Sequence, residues 1–142
     1  MLDHKALTLL GFDFGEKRIG IAVGQTLTGS VTPLTTLSTV KHKPDWAGIE
    51  ALIREWQPDR LIVGLPLHMD GSEQDMTQRA KRFGNQLKGR YNLPVEWVDE
   101  RLSSREAETM LQEWGNKRSD KKDIDKLAAA LILQSWLDQQ TL

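Results

Sequence analysis

Residues 10–24, Leu-Gly-Phe-Asp-Phe-Gly-Glu-Lys-Arg-Ile-Gly-Ile-Ala-Val-Gly, set one acidic side chain, Asp13, inside an otherwise apolar strand pattern. A tight glycine turn and a second strand follow at once, so the pattern predicts a β-hairpin of residues 7–14 and 18–24. A carboxylate in such a strand is costly to bury unless something pairs with it. A divalent cation is the usual partner, and cations held by carboxylates serve phosphate chemistry. The alternative, a turn residue satisfied by nearby backbone N–H groups, is disfavoured by the two flanking residues, Phe12 and Phe14.

Beyond the hairpin, a third strand is expected between residues 32 and 40. Asp45 caps a helix whose apolar residues Trp46, Ile49, Leu52, Ile53 and Trp56 recur at helical spacing, with Pro58 ending it. Residues 60–64 read as a buried strand and residues 65–71 as a loop rich in Pro and Gly. Ser72 with Asp75 resembles a capping box for a helix carrying Met76, Ala80, Phe83 and Leu87 on one face. A fifth strand is expected at residues 94–99, and Ser103 with Glu106 opens another helix that Gly115 stops. Residues 116–122 read as a polar, charged connection, and a last helix runs over residues 124–138. A hairpin followed by strand–helix alternation implies an α/β fold, a mixed sheet with helices on its faces. Ligands in such sheets gather at the carboxyl ends of parallel strands, where Asp13, Gly64 and Glu100 fall.

At 142 residues the chain is expected to form one domain, residues 1–142, large enough to bury a core. The absence of cysteine excludes disulfides, thiolate metal sites and cysteine nucleophiles. Nineteen basic against twenty acidic residues argue against a uniformly basic nucleic-acid coat, although residues 71–142 hold twelve of the basic ones. No apolar run reaches the roughly 20 residues of a membrane span, and the first residues lack a signal-peptide pattern, so a soluble cytoplasmic protein without membrane contact is expected.

Carboxylates stand in three places where a bland sequence would not need them: Asp13, the pair Asp99 and Glu100 after the fifth strand, and Asp125 at the start of the last helix. Such a set can hold one or two hard cations that activate water against a phosphodiester, with no histidine or serine nucleophile. Spacing alone leaves other roles open. Asp99 or Glu100 can pair with Arg101 or Arg105, and Asp125 can complement the helix dipole.

Taken together, Phe-Asp-Phe-Gly-x-x-x-Ile-Gly, Val-Gly-Leu-Pro-Leu-x-Met-Asp-Gly-Ser, Asp-Glu-Arg-Leu-Ser-Ser and Asp-Lys-Leu-Ala-Ala-Ala resemble, in this order, the YqgF/RuvX family, described as Holliday-junction resolvases or pre-16S rRNA nucleases. The resemblance covers nearly the whole chain. It implies an RNase H-like fold, a mixed five-stranded sheet with helices on both faces, and Asp13, Glu100 and Asp125 as an acidic triad binding Mg²⁺ or Mn²⁺. It also implies a cytoplasmic nuclease acting on the 5′ end of the 16S ribosomal RNA precursor. Related junction resolvases carry a second metal-capable residue three positions from the final aspartate; here those positions are Lys122 and Ala128. This departure favours structured RNA over branched DNA as substrate.

Phosphate contacts are assigned first to Lys117, Arg118, Lys121 and Lys122, a positive stretch just before Asp125, and to Arg101 beside Glu100. A second basic segment, Arg79, Lys81, Arg82, Lys88 and Arg90, is either another contact or a solvated helix face. Trp46, Trp56, Trp114 and Trp136 fit apolar stripes, while Trp97 stays open, and His68 is the only histidine in a motif-bearing loop. Three other functions compete with an RNA nuclease. They are a sugar-kinase or actin-type ATPase, disfavoured because one domain and one phosphate-binding hairpin are too few, a non-catalytic nucleic-acid-binding module, and a four-way DNA junction resolvase.

Overall fold

The computed structural model describes residues 6–100 and 121–140. Five strands and three helices are placed there: β1 (Thr8–Phe14), β2 (Arg18–Gln25), β3 (Ser30–Ser38), α1 (Trp46–Trp56), β4 (Arg60–Leu65), α2 (Asp75–Tyr91), β5 (Val95–Asp99) and α3 (Lys121–Gln140). The helix expected over residues 103–115 lies outside the described residues.

The strands form one mixed sheet in the order β3-β2-β1-β4-β5. β1 pairs antiparallel with β2, with Asp13 opposite Gly20. β4 runs parallel to β1 and β5 parallel to β4. Strand alternation divides the core in two. Leu10, Phe12, Ile19, Ile21, Leu61 and Val63 face α1 and α2, whose Ile49, Ala80, Phe83 and Leu87 complete that cluster. Leu9, Ala22, Ile62 and Val98 face Ala129, Ala130, Ile132, Leu133 and Trp136 of α3. Helices therefore cover both faces, as an RNase H-like sheet requires. Among the described residues, no helix is long and apolar enough to cross a membrane.

Three boundaries differ from the sequence reading. β3 begins and ends two residues earlier than expected, at Ser30 and Ser38. Val40 instead closes a two-residue turn, exchanging backbone hydrogen bonds of 3.0 and 2.9 Å with Lys43. Lys41 and His42 both take positive φ there, a conformation normally met by Asn-Gly. Ser72 does not cap α2, because its hydroxyl and N–H donate to Asp70 Oδ1 at 2.6 and 2.9 Å. The N-cap is Gln74, whose N–H donates to Thr77 Oγ1 at 3.0 Å. α3 already includes Lys121 and Lys122, so these belong to a helix and not to a connection. By contrast, Asp45 caps α1 as expected, accepting from the Gly48 N–H at 2.9 Å. Trp97 also resolves into the core: its Nε1 donates to the Ala80 carbonyl at 3.2 Å, and its ring fills the space left by Gly84.

The α3 face of the sheet is unusually bare. A Cβ at Gly20 would stand 1.9 Å from the Asp125 carbonyl oxygen, and one at Gly11 would stand 2.4 Å from Leu133 Cγ. The helix backbone thus lies directly on β2, which no side chain larger than hydrogen permits. Gly20→Ala is expected to lower stability in urea unfolding by about 3 kcal/mol, since a backbone and not a flexible tip must move. Gly89→Ala, in α2 with nothing within 4 Å of the added carbon, is expected to raise it by about 0.5–1 kcal/mol.

Candidate active site

Asp13 is the penultimate residue of β1. Alternation sends Phe12 and Phe14 into the α1–α2 core and turns Asp13 toward α3. The same rule settles the acidic pair after β5. Val98 packs in the α3-side core, so Glu100, two residues on, shares that face, and Asp99 points to the other. The Glu100 N–H extends the strand pairing by donating to the Leu65 carbonyl at 3.1 Å. β4 separates β1 from β5, and at this level it carries Gly64. A Cβ there would be 2.9 Å from Glu100 Cδ, so the missing side chain leaves the room in which Glu100 reaches Asp13.

The two carboxyls are hydrogen-bonded to each other. Removal from water pushes Asp13 up from 3.8 to about 6, the Asp125 charge adds to the rise, and the bond from Glu100 opposes it. Much of the Glu100 residue reaches solvent, but its carboxyl is packed over Gly64. Desolvation, then the Asp13 charge and hydrogen bond, then Asp99 push Glu100 up from 4.5 to about 8. The pair therefore titrates as a unit and keeps a proton near neutrality.

Asp125 arrives from α3, held over Gly20 by the backbone contact described above. It lies at least one turn inside the helix and not at its first residue, so dipole complementation does not account for it. Its Oδ2 accepts from Arg18 Nε at 2.5 Å. Sequence reasoning misses Arg18, although a signal for it is present. Arg18 is two residues before Gly20 on β2, hence on the α3 face, at the turn end of the hairpin.

Asp13 and Glu100 are thus brought together, and Asp125 is brought within reach of the Asp13 charge. Among the described residues, no three His, Asp or Glu side chains are already drawn into a cation cage. The donor set is nonetheless all oxygen, which suits a hard divalent ion. Lys121 and Lys122 precede Asp125 on the same helix, whereas Arg101, Lys117 and Arg118 lie outside the described residues. His68 sits in the turn before α2, where its N–H donates to the Ser72 carbonyl at 2.9 Å.

Comparisons with known proteins agree with this architecture. The family model described as "RuvX: Holliday junction resolvase" matches residues 7–139. A Nitrosococcus oceani protein named "Putative pre-16S rRNA nuclease" is 55% identical over 139 residues, covering 97% of this chain and 91% of that one. A protein of the same name from Saccharophagus degradans is 53% identical over 133 residues, covering 93% and 94%. Among solved structures, T. thermophilus RuvC in complex with a Holliday junction substrate matches with a TM-score of 0.61 at 16% identity, over 95% of this chain and 97% of that one. The fowlpox virus Holliday junction resolvase matches at 0.57 and 13%, over 94% and 99%. Those two likenesses carry the fold, an RNase H-like resolvase fold, and the sequence matches carry the membership: the chain belongs to the RuvX/YqgF family.

Proposed function

We propose that residues 1–142 form one nuclease domain that hydrolyses phosphodiester bonds in structured RNA, with Mg²⁺ or Mn²⁺, to mature the 5′ end of the cytoplasmic 16S rRNA precursor. The observation that carries this reading is the Asp13–Glu100 pair at the carboxyl edge of the sheet, raised in pKa and facing Asp125. Asp13, Glu100 and Asp125 are the residues that would hold the metal. When bound, it supplies Lewis-acid activation of water and stabilisation of the leaving oxygen. The chain's own contribution is placement. β1 fixes Asp13, Gly64 gives Glu100 its space, and Arg18 orients Asp125 while balancing its charge. Protonation relieves the repulsion between the two carboxyls, and a bound cation would relieve it in the same way. Arg101, Lys117, Arg118, Lys121 and Lys122, adjoining Glu100 and Asp125 in sequence, are assigned to phosphates of the substrate. The names of the close relatives support precursor rRNA as the substrate over a DNA junction.

Purified protein is expected to shorten a precursor 16S RNA fragment with Mg²⁺ or Mn²⁺ and not with EDTA. Asp13→Asn should slow this by roughly 10²–10⁴-fold or more, the scale of losing one positioned acid–base or charge-stabilising group. Preferential cutting of a four-way DNA junction in the same assay would replace RNA as the substrate, and equal activity of the variant would remove the carboxylate mechanism.

The raised carboxyls also set a pH dependence. Asp13 and Glu100 are more basic in the fold than their ordinary 3.8 and 4.5, so the folded chain keeps protons that the unfolded chain has released. Their contribution to stability in EDTA is full below about pH 4 and is lost as the pH rises through 6 and then 8. Glu100→Gln should therefore unfold at higher urea than the parent at pH 8, by about 1–2 kcal/mol after allowance for solvent screening, and converge with it near pH 4. Added Mg²⁺ should stabilise the parent at pH 8 more than this variant.

A further inference from the structure

The face of the sheet opposite the carboxylates holds a cleft of about 710 Å³, within the roughly 300–1,000 Å³ typical of ligand sites. It lies between the β1–β2 turn, the turn before α1, and one stripe of α2. Arg79, Arg82 and Arg90 of α2 line it, with Lys43 from the turn before α1, and Glu16 is the one acid on its wall. Glu16 stands 3.8 Å from Arg79 and 3.9 Å from His42, so it offsets only part of this charge. Arg82 and Lys43 have no carboxylate partner among the described residues, in a chain whose net charge is −1.

The floor is aromatic. Phe14 stacks on Phe83 with centroids 4.8 Å apart, Trp46 lies 5.8 Å from Phe83 at 24°, and the Arg90 guanidinium sits 4.0 Å above the Trp46 ring. Phe14 and Trp46 are only partly covered, so both present ring surface to the cleft. The basic segment of α2 is therefore two populations. Lys81 turns away to Glu73 at 2.7 Å, while Arg79, Arg82 and Arg90 converge on the cleft. From Arg79 to Arg90 the helix rises about 16 Å, more than one nucleotide requires.

We propose that this cleft is a second, non-catalytic site that binds single-stranded nucleic acid, with phosphates on the Arg79, Arg82 and Arg90 stripe and a base against the Phe14 and Trp46 rings. Planar guanidiniums and partly exposed rings in a groove are the combination that grips a strand without reading its sequence. A duplex keeps its bases stacked inside and offers nothing to the aromatic floor. The choice of nucleic acid as ligand rests on the nuclease reading, but the site is independent of cleavage and is tested without it.

The test is fluorescence anisotropy in EDTA with a labelled 12-nucleotide unstructured RNA and a blunt RNA duplex, using Asp13→Asn protein so that nothing is cut. The expected result is that Arg79→Gln/Arg82→Gln weakens single-strand binding by about tenfold and lowers the log Kd–log salt slope by about 0.7 for each phosphate no longer neutralised. Lys43→Gln, from a different element, should weaken the same binding, while duplex affinity stays within about twofold for both. Lys81→Gln/Lys88→Gln removes equal charge from α2 outside the cleft and should cost less than about twofold. Equal losses from the two α2 double variants, or no loss from either, overturn the proposal. So does competition by a mononucleotide as strong as by the 12-mer. A concentration-dependent dimer in sedimentation that the Arg79/Arg82 variant dissociates would assign the cleft to a second copy of the chain. Failure of the nuclease reading is separate, because it appears as absent metal-dependent cleavage by the Asp13 protein with strand binding intact.

Discussion

The contact of α3 with the bare backbone of β2 sets the geometry of everything at the carboxyl edge of the sheet. Gly20 lies under the Asp125 carbonyl, Gly11 under Leu133 and Gly64 under Ile132, and the helix answers with Ala129 and Ala130. Each glycine in a strand costs backbone entropy and forfeits side-chain packing. The return is distance: a helix seated on hydrogen atoms brings its own carboxylate down to the level of the strand carboxylates. A conventional layer of Val and Ile would hold Asp125 farther out and weaken the effect of its charge on Asp13.

Asp13, Glu100 and Asp125 are near enough for their charges to repel, and two devices offset that repulsion. Burial and their mutual repulsion hold Asp13 and Glu100 toward their protonated forms, and the Arg18 guanidinium holds Asp125. Both can be exchanged, which a packed apolar core or a permanent buried ion pair could not be. The site thus keeps its acids together at a cost to stability, the usual compromise where function opposes it.

The features set by short-range rules are legible in the chain. Alternation marks Asp13, the hairpin follows from its turn, and the glycines within strands announce a close approach that α3 makes. The misplacements have specific causes. Lys41 and His42 adopt the left-handed region in a tight turn without glycine, so nothing local signals that β3 stops before Val40. Ser72 has the spacing of a helix cap, but Asp70 competes for its hydroxyl, and such competition depends on a loop shape that no spacing encodes. Lys121 and Lys122 read as a connection because a run of charge resembles a loose segment, although lysine is a good helix former. Glu100 and Asp99 are indistinguishable until Val98 is known to face α3, because alternation needs one anchored residue before it can orient the others. Arg18 escapes a reading of the chain for a related reason: its partner lies 107 residues away, on an element whose position only the glycine face determines.

The same alternation gives β1 two faces with different chemistry in consecutive residues. Asp13 points to the carboxylates and Phe14 to the arginine-lined cleft, at the strand end where the chain turns back through Gly15. That turn is closed by the Gly15 N–H donating to the Arg18 carbonyl at 2.9 Å, and a Cβ on Gly15 would stand 2.7 Å from that oxygen. A strand held in the cleft and cut at the acids must therefore pass around a fixed hairpin tip carrying Glu16 and Lys17. A single strand can make such a turn and a continuous duplex resists it, bending stiffly over distances far longer than the width of this five-stranded sheet. A nuclease with both sites would engage its substrate where a single-stranded tail leaves a structured region. That geometry would make strand flexibility, and not base identity, the property by which the protein finds where to cut.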